Sequence, residues 1–135
     1  MRKMIWSTDC KTGFDEIDSQ HRLLYAICNE LLDINNPQKQ QDEIKYLLHH
    51  LVEYVEKHFK SEELVFEKYG FPGLGEHRQR HKEIMAEISA VIKDSKSMTE
   101  LKDNLDTMLD NWIRVHILIE DKKFGVWAKS KNITQ

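Results

Sequence analysis

The chain has few of the residues that interrupt helices and few of those that cross-link small folds. Its 135 residues include 5 Gly, 2 Pro and 2 Cys. This scarcity of glycine and proline favours long helices over a strand-rich fold. A disulfide between Cys10 and Cys28 is possible. However, Cys28 falls on an apolar helical stripe, so we expect it to be a buried, reduced thiol.

Strong charge of one sign and long apolar runs are also absent. The formal net charge is -3, from 20 basic and 23 acidic side chains. This balance gives no electrostatic reason to expect nucleic acid or an anionic membrane as a partner. No stretch approaches the roughly 18–20 apolar residues that span a bilayer. Polar residues follow residues 1–6 at once, so we do not expect the apolar run of a signal peptide there. We expect a cytoplasmic monomer that binds neither nucleic acid nor membrane.

Apolar residues recur at helical spacing in four segments. They predict helices from about 18 to 34, 40 to 69, 75 to 94 and 99 to 123. Short breaks separate these segments, and Ser97 or Thr99 is the expected N-cap of the fourth. Asp15 to Asp18 offer N-cap carboxylates for the first helix. We therefore predict an all-α, up-down-up-down antiparallel four-helix bundle, with residues 1–135 as one domain.

Residues 1–14 precede the first predicted helix and read as an irregular arm. Trp6 and Phe14 are the residues expected to anchor this arm to the bundle.

Polar side chains interrupt the apolar stripes at positions that face the core. His58 and Glu62 occupy two such positions in the second helix, and residues four apart share a helix face. His77 and His81 repeat this spacing in the third helix. His21 and His116 occupy inner positions in the first and fourth helices. Burying such groups is costly unless something binds them.

The depths of these residues along the bundle predict a single cluster. His58 and Glu62 precede the turn at Gly70, whereas His77 and His81 follow it. Because the second and third helices run antiparallel, these four side chains should meet. His21 lies near the start of the first helix and His116 near the end of the fourth, so they should reach the same level.

Five imidazoles with one or two carboxylates are too many donors for one tetrahedral zinc ion. They suit two transition-metal ions that share carboxylate bridges, and the donor types are compatible with iron. Spacing alone does not choose the second carboxylate. Glu120 lies four residues after His116, on its face, whereas Asp121 lies five residues after it, about 140° around a regular helix. Asp121 could reach the cluster only if the helix were locally widened, as in a π-bulge.

At this point the residues resemble those of hemerythrins, specifically the bacterial single-domain type. The resemblance extends from Trp6 to about Trp127 and rests on four motifs. These are Gly13-Phe14-x-x-Ile17-Asp18-x-Gln20-His21, His58-Phe59-x-x-Glu62-Glu63, His77-x-x-x-His81 and Trp112-x-x-x-His116-Ile117-x-x-x-Asp121.

The resemblance implies a non-haem di-iron centre with an oxo or hydroxo bridge, two iron ions per chain and reversible binding of dioxygen. His77, His81 and His116 would ligate one iron, and His21 and His58 the other. Glu62 and Asp121 would bridge the two, so the resemblance favours Asp121 over Glu120. The iron with two imidazoles would keep one open position for dioxygen. The expected pocket lining is Leu24, Phe59, Trp112, Ile113 and Ile117.

Oxygen storage, delivery or sensing, without enzymatic activity, is the function that this resemblance implies. A di-iron oxidase, peroxidase or nitric-oxide-handling enzyme is the first alternative, and a metal-dependent interaction module is the second. Outside the cluster, we expect His49, His50 and Glu63 to be solvated. We also expect the basic run Arg78-Gln79-Arg80, together with Lys82, to be an ordinary solvated face around the ligand histidines.

Overall fold

A computed structural model describes residues 11–133, except for the side chains of residues 113 and 114. Trp6 and Cys10 lie outside the described residues, and so does most of the predicted arm. The helices are α1 (Asp15–Leu32), α2 (Gln41–Tyr69), α3 (Leu74–Asp94) and α4 (Met98–Trp112). A π-helix, Ile113–Asp121, follows α4 directly and leads into α5 (Lys122–Ser130).

The helices form the predicted four-helix bundle, in which α4, the π-helix and α5 together make the fourth member. Each helix packs against the next one along the chain, and α1 also packs against α4, which closes the bundle. Short connections between packed neighbours make successive helices antiparallel. The all-α prediction is confirmed, and the segment after residue 123, whose structure was ambiguous from sequence, continues as helix to Ser130.

Two helix ends show why the sequence turns where it does. Gly70 follows α2 with a φ of 69°, a left-handed conformation that glycine adopts without steric cost. The Phe71 amide donates to the Phe66 carbonyl at 2.9 Å, which completes a Schellman end. At the start of α4, the Glu100 amide donates to Ser97 Oγ at 3.1 Å, so Ser97 is the cap.

The N-cap predicted for the first helix is wrong. Phe14 occupies that position, and no side chain caps it. Asp18 instead lies inside α1, where its buried carboxylate accepts hydrogen bonds from the Thr12 amide at 2.8 Å and the Thr12 hydroxyl at 2.9 Å. The carboxylate therefore ties the segment before α1 onto the helix.

The interior consists of two apolar clusters with a polar layer between them. Along each helix, the chain passes from one cluster through ionisable side chains to the other. In α1, for example, Ile17 belongs to one cluster and Leu24 to the other, with His21 between them. In α2, Phe59 and Phe66 flank Glu62 in the same way. Both ends of the polar layer are therefore sealed by close-packed apolar side chains.

Cys28 is a free, buried thiol, as predicted, and burial raises its pKa to about 12. Among residues 11–133, no helix is long and apolar enough to cross a membrane.

Gly125 offers a direct test of how tightly the segment before α1 packs against α5. A Cβ at this position would lie 2.3 Å from the Thr12 carbonyl oxygen, whereas a Cβ at Gly75 would meet nothing within 4 Å. Overpacking of this kind costs about 1–3 kcal/mol. Gly125→Ala should therefore lower the free energy of unfolding in urea by that amount, and Gly75→Ala should not lower it. Equal stabilities of the two variants would show that the contact with Thr12 is not tight.

Candidate metal centre

The seven residues predicted from sequence meet in the polar layer of the bundle. Each of the four helices contributes at least one imidazole, and every one of the seven residues is at most 5% exposed. The set is His21 from α1, His58 and Glu62 from α2, His77 and His81 from α3, and His116 and Asp121 from the π-helix. His49 and His50 lie exposed on α2, as predicted.

Glu62 faces histidines on both of its sides. Its Oε1 lies 3.1 Å from His81 Nε2. Its Oε2 lies 3.5 Å from His21 Nε2 and 3.5 Å from His58 Nε2. The two oxygens of this carboxylate thus face two different groups of imidazoles.

Asp121 repeats this arrangement from the opposite side of the bundle. Its Oδ1 lies 2.7 Å from His77 Nε2 and 3.1 Å from His116 Nε2. Its Oδ2 lies 2.9 Å from His21 Nε2. Both carboxylates therefore lie between a group of three imidazoles and a group of two.

Two overlapping sets of donor atoms result, and within each set all the atoms lie within 4.8 Å of one another. One set contains Glu62, His77, His81, His116 and Asp121, and the other contains His21, His58, Glu62 and Asp121. The sets share only the two carboxylates. Such an arrangement can hold two cations, each with its own imidazoles, joined by common carboxylate bridges.

The π-helix explains why Asp121, rather than Glu120, enters the cluster. Its hydrogen bonds join residues five apart, so side chains at positions 116 and 121 share a face. Asp121 is fully buried, whereas Glu120 lies outside the cluster, where it accepts a hydrogen bond from Arg80 Nε at 3.3 Å.

The pattern of hydrogen bonding tests whether these residues fit metal ions. Glu62 Oε2 and His58 Nε2 are buried and make no hydrogen bond, although they lie 3.5 Å apart. The Nε2 atoms of His81 and His116 face each other at 3.1 Å, a contact that requires one of them to carry a proton. Buried polar atoms are rarely left without partners, so the convergence of these donors fits a pair of bound cations.

The surrounding charges control protonation in the cluster. Burial by itself lowers the pKa of His21, but the carboxylates of Asp121 and Glu62 outweigh it and raise the pKa to about 10. Burial lowers the pKa of His58 to about 4. Burial favours the neutral carboxyl of Glu62, yet the imidazoles of His21 and His81 beside it hold its pKa well below the usual range. Without metal, the protein thus compensates its buried carboxylates with protons, which a cation can replace.

Aromatic rings close the polar layer on both sides. Phe59 stacks on the His81 ring, with centroids 3.8 Å apart, and also contacts the rings of His58 and His116. Phe66, which belongs to the other apolar cluster, meets the His77 ring edge-on, with ring centroids 4.8 Å apart. Of the pocket residues expected from sequence, four are buried: Leu24, Phe59, Trp112 and Ile117. The side chain of residue 113 is not among those that the structure describes.

Side chains also contact the outer nitrogens of three histidines, and Glu120 Oε1 lies 3.7 Å from His116 Nδ1. His58 Nδ1 lies 2.7 Å from Gln20 Oε1, and His81 Nδ1 lies 2.7 Å from Glu63 Oε2. The expectation that Glu63 is solvated is therefore wrong, since it binds a core histidine. These bonds fix the rings so that their Nε2 atoms face the carboxylates.

Comparisons with known proteins find a cation-binding family and relatives that match most of the chain. The family described as "Hemerythrin HHE cation binding domain" matches residues 12–128. Proteins named bacteriohemerythrin are similar over most of the chain. The one from Clostridium acetobutylicum is 30% identical over 129 residues, covering 89% of this chain and 97% of the relative. The one from Stenotrophomonas maltophilia is 26% identical over 130 residues, covering 96% and 84%. The one from Campylobacter jejuni is 27% identical over 118 residues, covering 87% and 89%.

Adjacent carboxylates in the π-helix allow a matched test of the site. Asp121→Asn should lose at least one of two bound irons, because it removes a charge that faces both groups of imidazoles. Glu120→Gln should keep both irons, because Glu120 lies outside the cluster. Iron per chain is measured by mass spectrometry after anaerobic reconstitution with ferrous iron. Full occupancy in Asp121→Asn together with loss in Glu120→Gln would assign the bridge to Glu120.

The raised pKa of His21 predicts how the stability of the metal-free protein depends on pH. Its bound proton stabilises the fold fully below pH 6.5, the ordinary pKa of a histidine, and this stabilisation is lost as the pH rises towards 10. The free energy of unfolding of chelator-treated protein, measured with urea, should therefore fall over that range. His21→Gln should flatten the decline, whereas a matched change at the exposed His49, His49→Gln, should preserve it. An undiminished slope in His21→Gln would contradict this role.

Proposed function

The chain belongs to the hemerythrin family, and we propose that it binds dioxygen reversibly at two iron ions held between its four helices. In this proposal the seven clustered residues are the protein's metal ligands. His77, His81 and His116 would hold one iron, His21 and His58 would hold the other, and Glu62 and Asp121 would serve both.

The inequality of the two donor sets is the observation that carries the proposal. One set offers three imidazoles and two carboxylates, and the other offers two imidazoles and the same two carboxylates. An iron in the second set would therefore have one protein ligand fewer and would keep a position for an external ligand. That position would supply the site for dioxygen, and the two irons together would supply the electrons that hold it.

The neutrality of most donors favours binding over oxidation chemistry. Five of the seven residues are imidazoles, whereas ferritin-like di-iron proteins use carboxylate-rich sets with Glu-x-x-His motifs. Anionic ligands stabilise high-valent iron better than neutral ones do, so an imidazole-rich centre disfavours cleavage of the O–O bond. We therefore propose a carrier, store or sensor of oxygen rather than an enzyme.

Burial of the centre supports the same function. The side chains of His21, Glu62 and Asp121 are 0% exposed, and Phe59 covers three of the five imidazoles. A diatomic molecule can pass between packed side chains during their fluctuations, whereas an organic substrate cannot. The apolar clusters on either side also exclude water, which would otherwise promote irreversible oxidation of the iron.

Absorption spectroscopy tests this proposal. Aerobically purified protein should show charge-transfer bands of oxidised iron, and these bands should disappear on anaerobic reduction. Exposure of the reduced protein to oxygen should then produce a different spectrum that removal of oxygen reverses. Val126→Ala, at an exposed position on α5, serves as a control and should behave like the wild type.

A direct return from the reduced spectrum to the oxidised one, with no reversible oxygenated form, would contradict reversible binding. It would favour an oxidase or a redox sensor at the same centre. Steady consumption of oxygen in the presence of a reductant, faster than autoxidation, would point to the oxidase.

A further inference from the structure

The outer partners of the two bonded histidines differ in charge. His81, from the three-imidazole group, faces the carboxylate of Glu63, whereas His58, from the two-imidazole group, faces the neutral amide of Gln20. Both distances are 2.7 Å, so the two hydrogen bonds have the same length. The outer nitrogens of the three-imidazole group thus face two carboxylates, since Glu120 Oε1 also lies 3.7 Å from His116 Nδ1, whereas His58 in the other group faces an amide.

Both partners are fixed in place by further contacts. Glu63 is 23% exposed and accepts a hydrogen bond from Arg78 Nε at 3.2 Å through its other oxygen. Gln20 Nε2 donates to Ser61 Oγ at 3.0 Å, and the Ser61 hydroxyl donates to Glu16 at 2.9 Å. The amide orientation of Gln20 therefore leaves its Oε1 as the acceptor for His58.

We propose that Glu63 is a positioning residue that makes the three-imidazole iron the easier of the two to oxidise, while Gln20 only orients its histidine. The inference rests on the proposed di-iron centre. A histidine whose outer N–H donates to a carboxylate becomes a stronger electron donor through its other nitrogen. Stronger donation stabilises ferric over ferrous iron. The first electron lost by the reduced centre then comes from the iron bound by His81.

This asymmetry suits the binding of dioxygen at the other iron. The three-imidazole iron has no position for an external ligand in the proposed arrangement, yet it must contribute an electron. The carboxylate of Glu63 favours that contribution without occupying a coordination position. The amide of Gln20 leaves the two-imidazole iron a weaker electron donor, which favours release of the ligand.

Charge changes at these two positions separate an electronic role from a structural one. Glu63→Gln retains an oxygen that can accept from His81 Nδ1 but removes the charge. Gln20→Glu adds a charge beside His58. Glu67→Gln is the matched control, because Glu67 also contacts Arg78, at 3.5 Å, and is exposed on the same helix without a bond to a core histidine.

The measurement is a potentiometric titration of the iron-loaded proteins, followed by absorbance and by electron paramagnetic resonance of the half-oxidised form. Glu63→Gln should raise the first one-electron potential. Loss of such an outer partner typically weakens metal binding about 10–100-fold. If that loss falls on ferric iron, each tenfold corresponds to about 59 mV. Gln20→Glu should lower the second potential, and Glu67→Gln should change neither.

Unchanged potentials in Glu63→Gln and Gln20→Glu, with two irons retained, would overturn the inference and leave the proposed function intact. Equal shifts in Glu63→Gln and Glu67→Gln would also overturn it, since they would reflect only the general charge of the surface. If Glu63→Gln fails to retain iron, the potentials of Gln20→Glu test the inference instead. An unchanged second potential in that variant would overturn it. A wild-type protein that binds no iron would overturn the proposed function, and this inference with it.

Discussion

The fold is organised around two carboxylates buried among five imidazoles. Ionised groups removed from water are costly unless their charge is compensated at close range. Here Glu62 and Asp121 are fully buried, and imidazole nitrogens surround both of their oxygens. Compensation requires all four helices to deliver their histidines to one level of the bundle. The helix register is therefore constrained by the polar layer as well as by apolar packing.

The two apolar clusters position the histidines of this layer as well as stabilising the fold. They hold the histidines from both sides through aromatic contacts such as Phe59 on His81 and Phe66 on His77. Packing fixes where each ring lies, and the hydrogen bonds that His58 and His81 donate to Gln20 and Glu63 fix which nitrogen faces inward. A preformed set of donors loses little conformational freedom when it binds a metal ion, which favours tight binding.

Much of this arrangement was predictable from the sequence because it depends on regular helix geometry. His58 with Glu62, and His77 with His81, share a face at four-residue spacing, and their distances from Gly70 set their depth. Features that depart from regular helix geometry, or that depend on contacts between neighbouring helices, were not predictable. Helical spacing left Glu120 and Asp121 undecided, and only the family resemblance favoured Asp121. Glu63 was misjudged because periodicity assigns it to the surface without showing that it reaches back to His81.

The π-helix shows how one irregularity can satisfy several constraints at once. In the π-helix, Glu120 lies outside the polar layer, with its Oε1 3.3 Å from Arg80 Nε and 3.7 Å from His116 Nδ1, the outer nitrogen of that histidine. One additional residue per turn brings Asp121 into the layer, keeps Glu120 beside Arg80 and still returns Phe124 to the second apolar cluster. Because π-helical hydrogen bonding is uncommon and less favourable, the segment persists only where side chains compensate for it. The buried ion contacts of Asp121 with His21 and His77 supply that compensation, so the backbone distortion and the candidate metal centre depend on each other.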